Sequence, residues 1–145
     1  MTRDDVIAAT QRMTKAINKG DFDCLDEICD EHMVNHHTVP HPDSENGKFR
    51  RYIEDLRSAF PDLTIMPEHM DATENDMTVI YTICGTHQGK FLGIEPTGRR
   101  VRARGMQVTR FEDGKIVERW GSADEMSMLK QLLDRPGQDS GKEST

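Results

Sequence analysis

The sequence predicts an α+β fold: a curved antiparallel sheet wrapped on N-terminal helices to form a cone-shaped α+β barrel. Three observations predict it. Helical spacing dominates the first sixty residues. Strand-like alternation then runs from Asp62 to Trp120. A capped amphipathic helix follows, and its core face has nowhere to pack but the sheet.

The elements follow in order. Thr2 and Asp5 have the spacing of a capping box. Val6, Ala9, Met13, Ala16 and Ile17 then recur on one helical face to about Asn18, and Gly20 suits a left-handed C-cap. Asp21 caps a short second helix with Phe22, Leu25, Ile28 and Cys29 on its apolar face, and Met33–His37 reads as extended. Thr38–Gly47 has the prolines and small polar residues of a loop. Phe49, Tyr52, Ile53, Leu56 and Phe60 mark a third helix, stopped by Pro61.

The strands come next. Leu63 and Ile65 alternate, and Pro67 marks an edge strand or a bulge. Met77, Val79, Tyr81, Ile83, Gly85 and His87 share one face of a strand after the Asn75-Asp76 turn. Gly89–Arg99 is a loop. Arg104–Leu133 then gives two strands, a helix and, between the strands, Asp113-Gly114, which favours a type I′ turn. An uninterrupted register places Phe111 opposite Ile116, Thr109 opposite Glu118 and Gln107 opposite Trp120, all on one side. Ser122 and Glu125 read as the capping box of the last helix, with Asp124 in its first turn. Residues 1–135 form one domain, and 136–145 a polar, disordered tail.

Composition narrows the function classes. A net charge of −7 argues against nucleic acid, which needs concentrated positive charge, and Arg99, Arg100, Arg102 and Arg104 form the one basic cluster. No apolar run is long enough to span a membrane, and no signal-peptide core is present. Three cysteines without a CxxC spacing read as reduced thiols of a cytoplasmic protein. The mouth of a cone suits a small-molecule ligand.

The candidate chemistry is acid–base. Asp124 at the mouth of an apolar pocket is a candidate general acid or base, although an acid there also complements the helix dipole. His36 and His87 are candidate proton carriers, each with a plainer hydrogen-bonding role as its alternative. His32 and His36 stand four apart, but the segment is not helical and no HExxH pattern occurs, so no metal site is expected. Gln107, an amide within a buried strand pattern, needs a partner that a ligand or water would supply. Trp120, Tyr81 and Phe49 are the candidate apolar walls.

Two runs resemble a known family. Gly85-Thr86-His87-Gln88-Gly89 with Phe91-Leu92-Gly93-Ile94-Glu95-Pro96-Thr97-Gly98-Arg99, and Arg110-Phe111-Glu112-Asp113-Gly114-Lys115-Ile116 followed by Trp120, Asp124 and Leu129-Lys130-Gln131-Leu132, are similar to the SnoaL-like polyketide cyclases. That family belongs to the nuclear-transport-factor-2-like superfamily. The resemblance covers residues 4 to 134 and implies the cone fold, a homodimer or homotetramer formed through the sheet, and aldol closure of a polyketide ester without metal or cofactor. Two positions depart: the family's cyclases carry His where this chain has Gln107, and the catalytic Asp where it has Gly121. The fold and pocket therefore carry over further than the aldol step. The alternatives are a hydroxylation-associated relative and a non-catalytic binding or assembly module.

Overall fold

The computed structural model describes residues 1–36 and 45–133, with side chains of the third helix from Phe49 onward. Its elements are α1 (Arg3–Lys19), α2 (Phe22–Ile28), β1 (Cys29–Asn35), α3 (Glu45–Ala59), β2 (Thr64–Ala72), β3 (Asp76–Thr86), β4 (Arg100–Glu112), β5 (Lys115–Ala123) and α4 (Glu125–Leu133). The five strands form one sheet in the order β1-β5-β4-β3-β2. Neighbours are antiparallel except β1, which lies parallel to β5 at the edge. The α+β class is as expected, with this parallel edge strand added. The expected tail, and most of the expected Thr38–Gly47 loop, lie outside the described residues; α3 begins at Glu45, inside the expected loop.

Local chemistry sets the element ends. Thr2 and Asp5 form the reciprocal capping box, and Gly20 closes α1 at φ 73°. Asp21 caps α2 through the Cys24 N–H. The Arg57 guanidinium gathers the carbonyls of Ile17, Asn18, Leu63 and Pro61, tying the end of α1 to α3. Asn18 pairs by its side-chain amide with both backbone groups of Ile65, which covers part of the free edge of β2. Register slips between Pro67 and His69 in that edge strand, the bulge Pro67 predicts.

The core lies between the helices and one face of the sheet. Val6, Met13, Ala16 and Ile17 of α1 and Phe49, Ile53 and Leu56 of α3 pack against Met77, Val79, Ile83, Phe111 and Ile116. Gly105 leaves room for the Tyr81 ring, which a β-carbon at 105 would overlap. No described helix is long and apolar enough to cross a membrane.

The hairpin holds the main departure from the expected register. Asp113 and Gly114 have φ of 51° and 82°, as a type I′ turn requires, and Phe111 faces Ile116. Arg110, however, faces Glu118, so one extra residue, Val117, is inserted in β5. This bulge reverses the parity of everything after it. Thr109 faces Arg119 and Gln107 faces Gly121, so Arg119 points into the core and Trp120 points out.

The start of α4 differs as well. β5 continues to Ala123, because Ser122 pairs with Met106 and Ala123 with Gly105. Ser122 is thus a strand residue and cannot cap. Asp124 is the cap: its Oδ1 accepts the Ser127 N–H at 3.0 Å.

Candidate active site

A cavity opens between the helices and the inner sheet face. Met13 and Ile17 come from α1, Phe49, Tyr52, Ile53 and Leu56 from α3, and Val79, Tyr81, Ile83, Gln107 and Arg119 from the sheet. Its walls are mainly apolar, with Thr10 and Thr14 of α1 as small polar exceptions, and it is narrow. The empty space is about 510 Å³ with the open mouth included.

Polar groups converge at one place. Arg119 is 3% exposed and donates to Gln107 Oε1 from Nε at 3.0 Å and from Nη2 at 2.5 Å. Its Nη1 donates to Asn35 Oδ1 at 3.1 Å. Parallel pairing of β1 with β5 sets Asn35 beside Arg119. The guanidinium carbon also lies 4.3 Å from the centre of the Phe49 ring. Amides and an aromatic face therefore hold this cation, and no described carboxylate lies within ion-pair distance of it.

The electrostatics follow from burial. Loss of water pushes the Arg119 pKa down, while Tyr81, Tyr52 and Cys29 act the other way. A guanidinium stays charged at neutral pH regardless. Burial pushes Tyr52 well above the usual tyrosine range, and Glu125, whose Oε2 accepts the Tyr52 hydroxyl at 3.1 Å, adds to the rise. Burial also raises Tyr81, against the pull of Arg119. The Cys29 thiol is pushed by burial up to about 12, with Arg119 working in the opposite sense.

Three of the predicted site residues, Gln107, Tyr81 and Phe49, line this cavity together. The other four do not. Asp124 is exposed and caps α4. His36 is exposed on the outer side, stacked on Trp120 at 5.1 Å and joined to Glu118 at 2.9 Å. Trp120 is 38% exposed on the outer sheet face rather than a pocket wall, because of the bulge. His87 is fully buried beside Phe60. Its Nδ1 accepts the Thr97 N–H at 3.1 Å, which puts the ring proton on Nε2.

Sequence reasoning missed Arg119, Asn35, Tyr52 and Glu125 as site residues. Tyr52 sits on the apolar stripe of α3, and its hydroxyl was the available signal. Arg119 was hidden by the single inserted residue.

The comparisons add family context to this geometry. The SnoaL-like polyketide cyclase profile matches residues 7–132. The chain belongs to the SnoaL-like polyketide cyclase family. It is 28% identical over 131 residues to nogalonic acid methyl ester cyclase of Streptomyces nogalater, spanning 89% of this chain and 98% of that one. Among solved structures, AclR of Streptomyces galilaeus, proposed to be a hydroxylase, superposes with a TM-score of 0.83 at 28% identity over 94% of this chain and 87% of its own. IdmH of Streptomyces antibioticus, proposed to be a polyketide cyclase, gives 0.75 at 27% identity over 86% and 96%. The neighbours support the cone-shaped α+β fold, and the sheet is open rather than closed.

Proposed function

We propose that this SnoaL-like protein is an enzyme that moves a proton beside a carbonyl of an apolar, polyketide-ester-like small molecule, with no metal or cofactor. The observation that carries this is the Gln107–Arg119–Asn35 cluster set against a mainly apolar cavity. Proton removal beside a carbonyl places charge on oxygen, and a pre-oriented buried donor stabilises that charge where it develops. The guanidinium supplies the donors, and the amides of Gln107 and Asn35 fix its plane. Tyr52 faces the same cavity with Glu125 behind it. Substrate carbon gives its proton to the Tyr52 oxygen as the phenol proton passes to Glu125, so no free phenolate forms. Asp124, His36 and His87, away from the cavity, have no part in this scheme. A multi-ring substrate enters by displacing wall side chains such as Met13 and Phe49.

The test uses ethyl benzoylacetate in D₂O, with exchange of its acidic C–H followed by NMR. The wild-type chain accelerates exchange, and Arg119→Met and Glu125→Gln each reduce the acceleration about a hundredfold. No acceleration by the wild-type protein, or full activity in both variants, would sink the reading. A second reading, a binding module without turnover, has one observation in its favour: among the described residues no carboxylate or imidazole lines the cavity. Binding of the ester without exchange would select it.

The outer sheet face supports a homodimer or homotetramer. Val34, Met106 and Trp120 are 43%, 49% and 38% exposed there, next to Val108. Three free cysteines fit a reducing, cytoplasmic setting.

A further inference from the structure

We propose that Arg119 is an anion-binding site, and that the ligand of the cavity carries an ionised oxygen on an apolar ring body. The inference rests on the proposed reading of the cavity as a substrate site, and it names the ligand's charge. Carboxylate, phenolate and the enolate of a 1,3-dicarbonyl share the required chemistry.

Neither the donors nor the charge of Arg119 is fully matched within the described residues. A guanidinium has five N–H donors, and three are used here, on Gln107 and Asn35. Both acceptors are neutral amides. The side chain is almost fully buried, where an unpaired charge is costly and is normally matched by an opposite one. Among the described residues none provides that match. Glu125 is engaged by the Tyr52 hydroxyl. Arg119 nevertheless lines the cavity, so the missing counter-charge has a route in from the mouth.

Gly121 supports the assignment independently. A β-carbon at 121 would overlap Arg119 Nη2 and lie 2.9 Å from Cζ. Glycine here keeps a place for the guanidinium, held by three hydrogen bonds with its plane fixed. A pre-oriented planar fork is suited to oxygen anions. The apolar walls exclude small hydrated ions and favour an anion attached to a hydrophobic ring.

The test is calorimetric titration of the full chain with 2-naphthoate and with methyl 2-naphthoate, which share a ring system and differ in charge. The wild type binds the acid about tenfold or more tighter than the ester. Arg119→Met removes this preference. Gly121→Ala, which keeps the charge but denies it its place, reduces the preference, and Arg110→Met on the outer face leaves it intact. Gly121→Ala also serves if Arg119→Met does not fold. Equal binding of acid and ester by the wild type overturns the anion site while leaving the cavity reading standing. So does a preference that survives both Arg119→Met and Gly121→Ala. If neither compound binds, the cavity reading falls and the anion site with it. Preference for the acid with no C–H exchange on ethyl benzoylacetate keeps the anion site and removes the enzyme.

Discussion

The Arg119 guanidinium fills the space that a side chain at Gly121 would need, two residues along the same strand. A β-carbon at 121 would collide with Nη2, one of the two Arg119 nitrogens that donate to Gln107. The end of an arginine is flexible, but this one is pinned by Gln107 and Asn35. Gly121→Ala therefore forces the guanidinium to move and breaks part of that network, at a cost of about 1–3 kcal/mol. In an Arg119→Met background the same change costs much less, since the colliding atoms are gone. A double-mutant cycle by urea denaturation measures the difference, and simple additivity of the two changes would contradict the account.

Alkaline pH should loosen the fold through Cys29. Its folded pKa of about 12 lies above the ordinary value near 9.0, so over that window the unfolded chain sheds a proton that the folded chain keeps. Stability is fully present below pH 9 and falls above it, approaching about 1.4 kcal/mol per pH unit. Tyr52 and Tyr81, also raised, add the same sign at higher pH. Between pH 9 and 10.5, wild-type stability should fall about 1–2 kcal/mol further than that of Cys29→Ala. Parallel curves for the two proteins would mean that the thiol is not buried as described.

Much of the fold was legible because its signals are local. Thr2 with Asp5, Gly20, Asp21, Pro67 and the Asp113-Gly114 turn each act within a few residues, and each appears where the sequence places it. Gln107, Tyr81 and Phe49 were legible as cavity residues, because strand alternation and helical spacing place them before any irregularity intervenes. The rest of the site depended on one inserted residue. Period-two alternation carries no signal for the bulge at Val117, and that bulge exchanges the sides of Arg119 and Trp120. Alternation puts His87 on the same strand face as Met77, Val79 and Ile83, but its partner Thr97 lies ten residues on, in a loop without periodicity.

Trp120, turned outward by the same bulge, should matter for association rather than for the cavity. It lies opposite Val108 on the outer face, and His36 stacks on its ring. If the sheet faces of two copies meet there, Trp120→Glu buries a charge in the contact and weakens the dimer by about 2 kcal/mol or more, roughly thirtyfold. Sedimentation velocity at several concentrations reads this directly. A wild-type chain that stays monomeric at high concentration removes the sheet-mediated oligomer.

His87 should behave as a loop clasp. Its backbone N–H donates to the Arg99 carbonyl at 2.8 Å, its carbonyl accepts the Gly98 N–H at 2.9 Å, and its ring Nδ1 accepts the Thr97 N–H. The ring is thereby held in one neutral tautomer, with Nε2–H buried and unpartnered. His87→Phe keeps a ring beside Phe60, loses the acceptor for Thr97 and also removes the orphaned donor. Those two effects oppose each other, so global stability should change by less than about 1 kcal/mol. Locally the Thr97 amide loses its partner, and its hydrogen exchange should quicken while exchange in β3 and β4 stays slow. Turnover, if the cavity acts as proposed, is preserved, because the ring has no access to it. A large fall in kcat with unchanged stability would instead return His87 to the chemistry, and a protonated Nδ1 seen by nitrogen NMR would break the clasp.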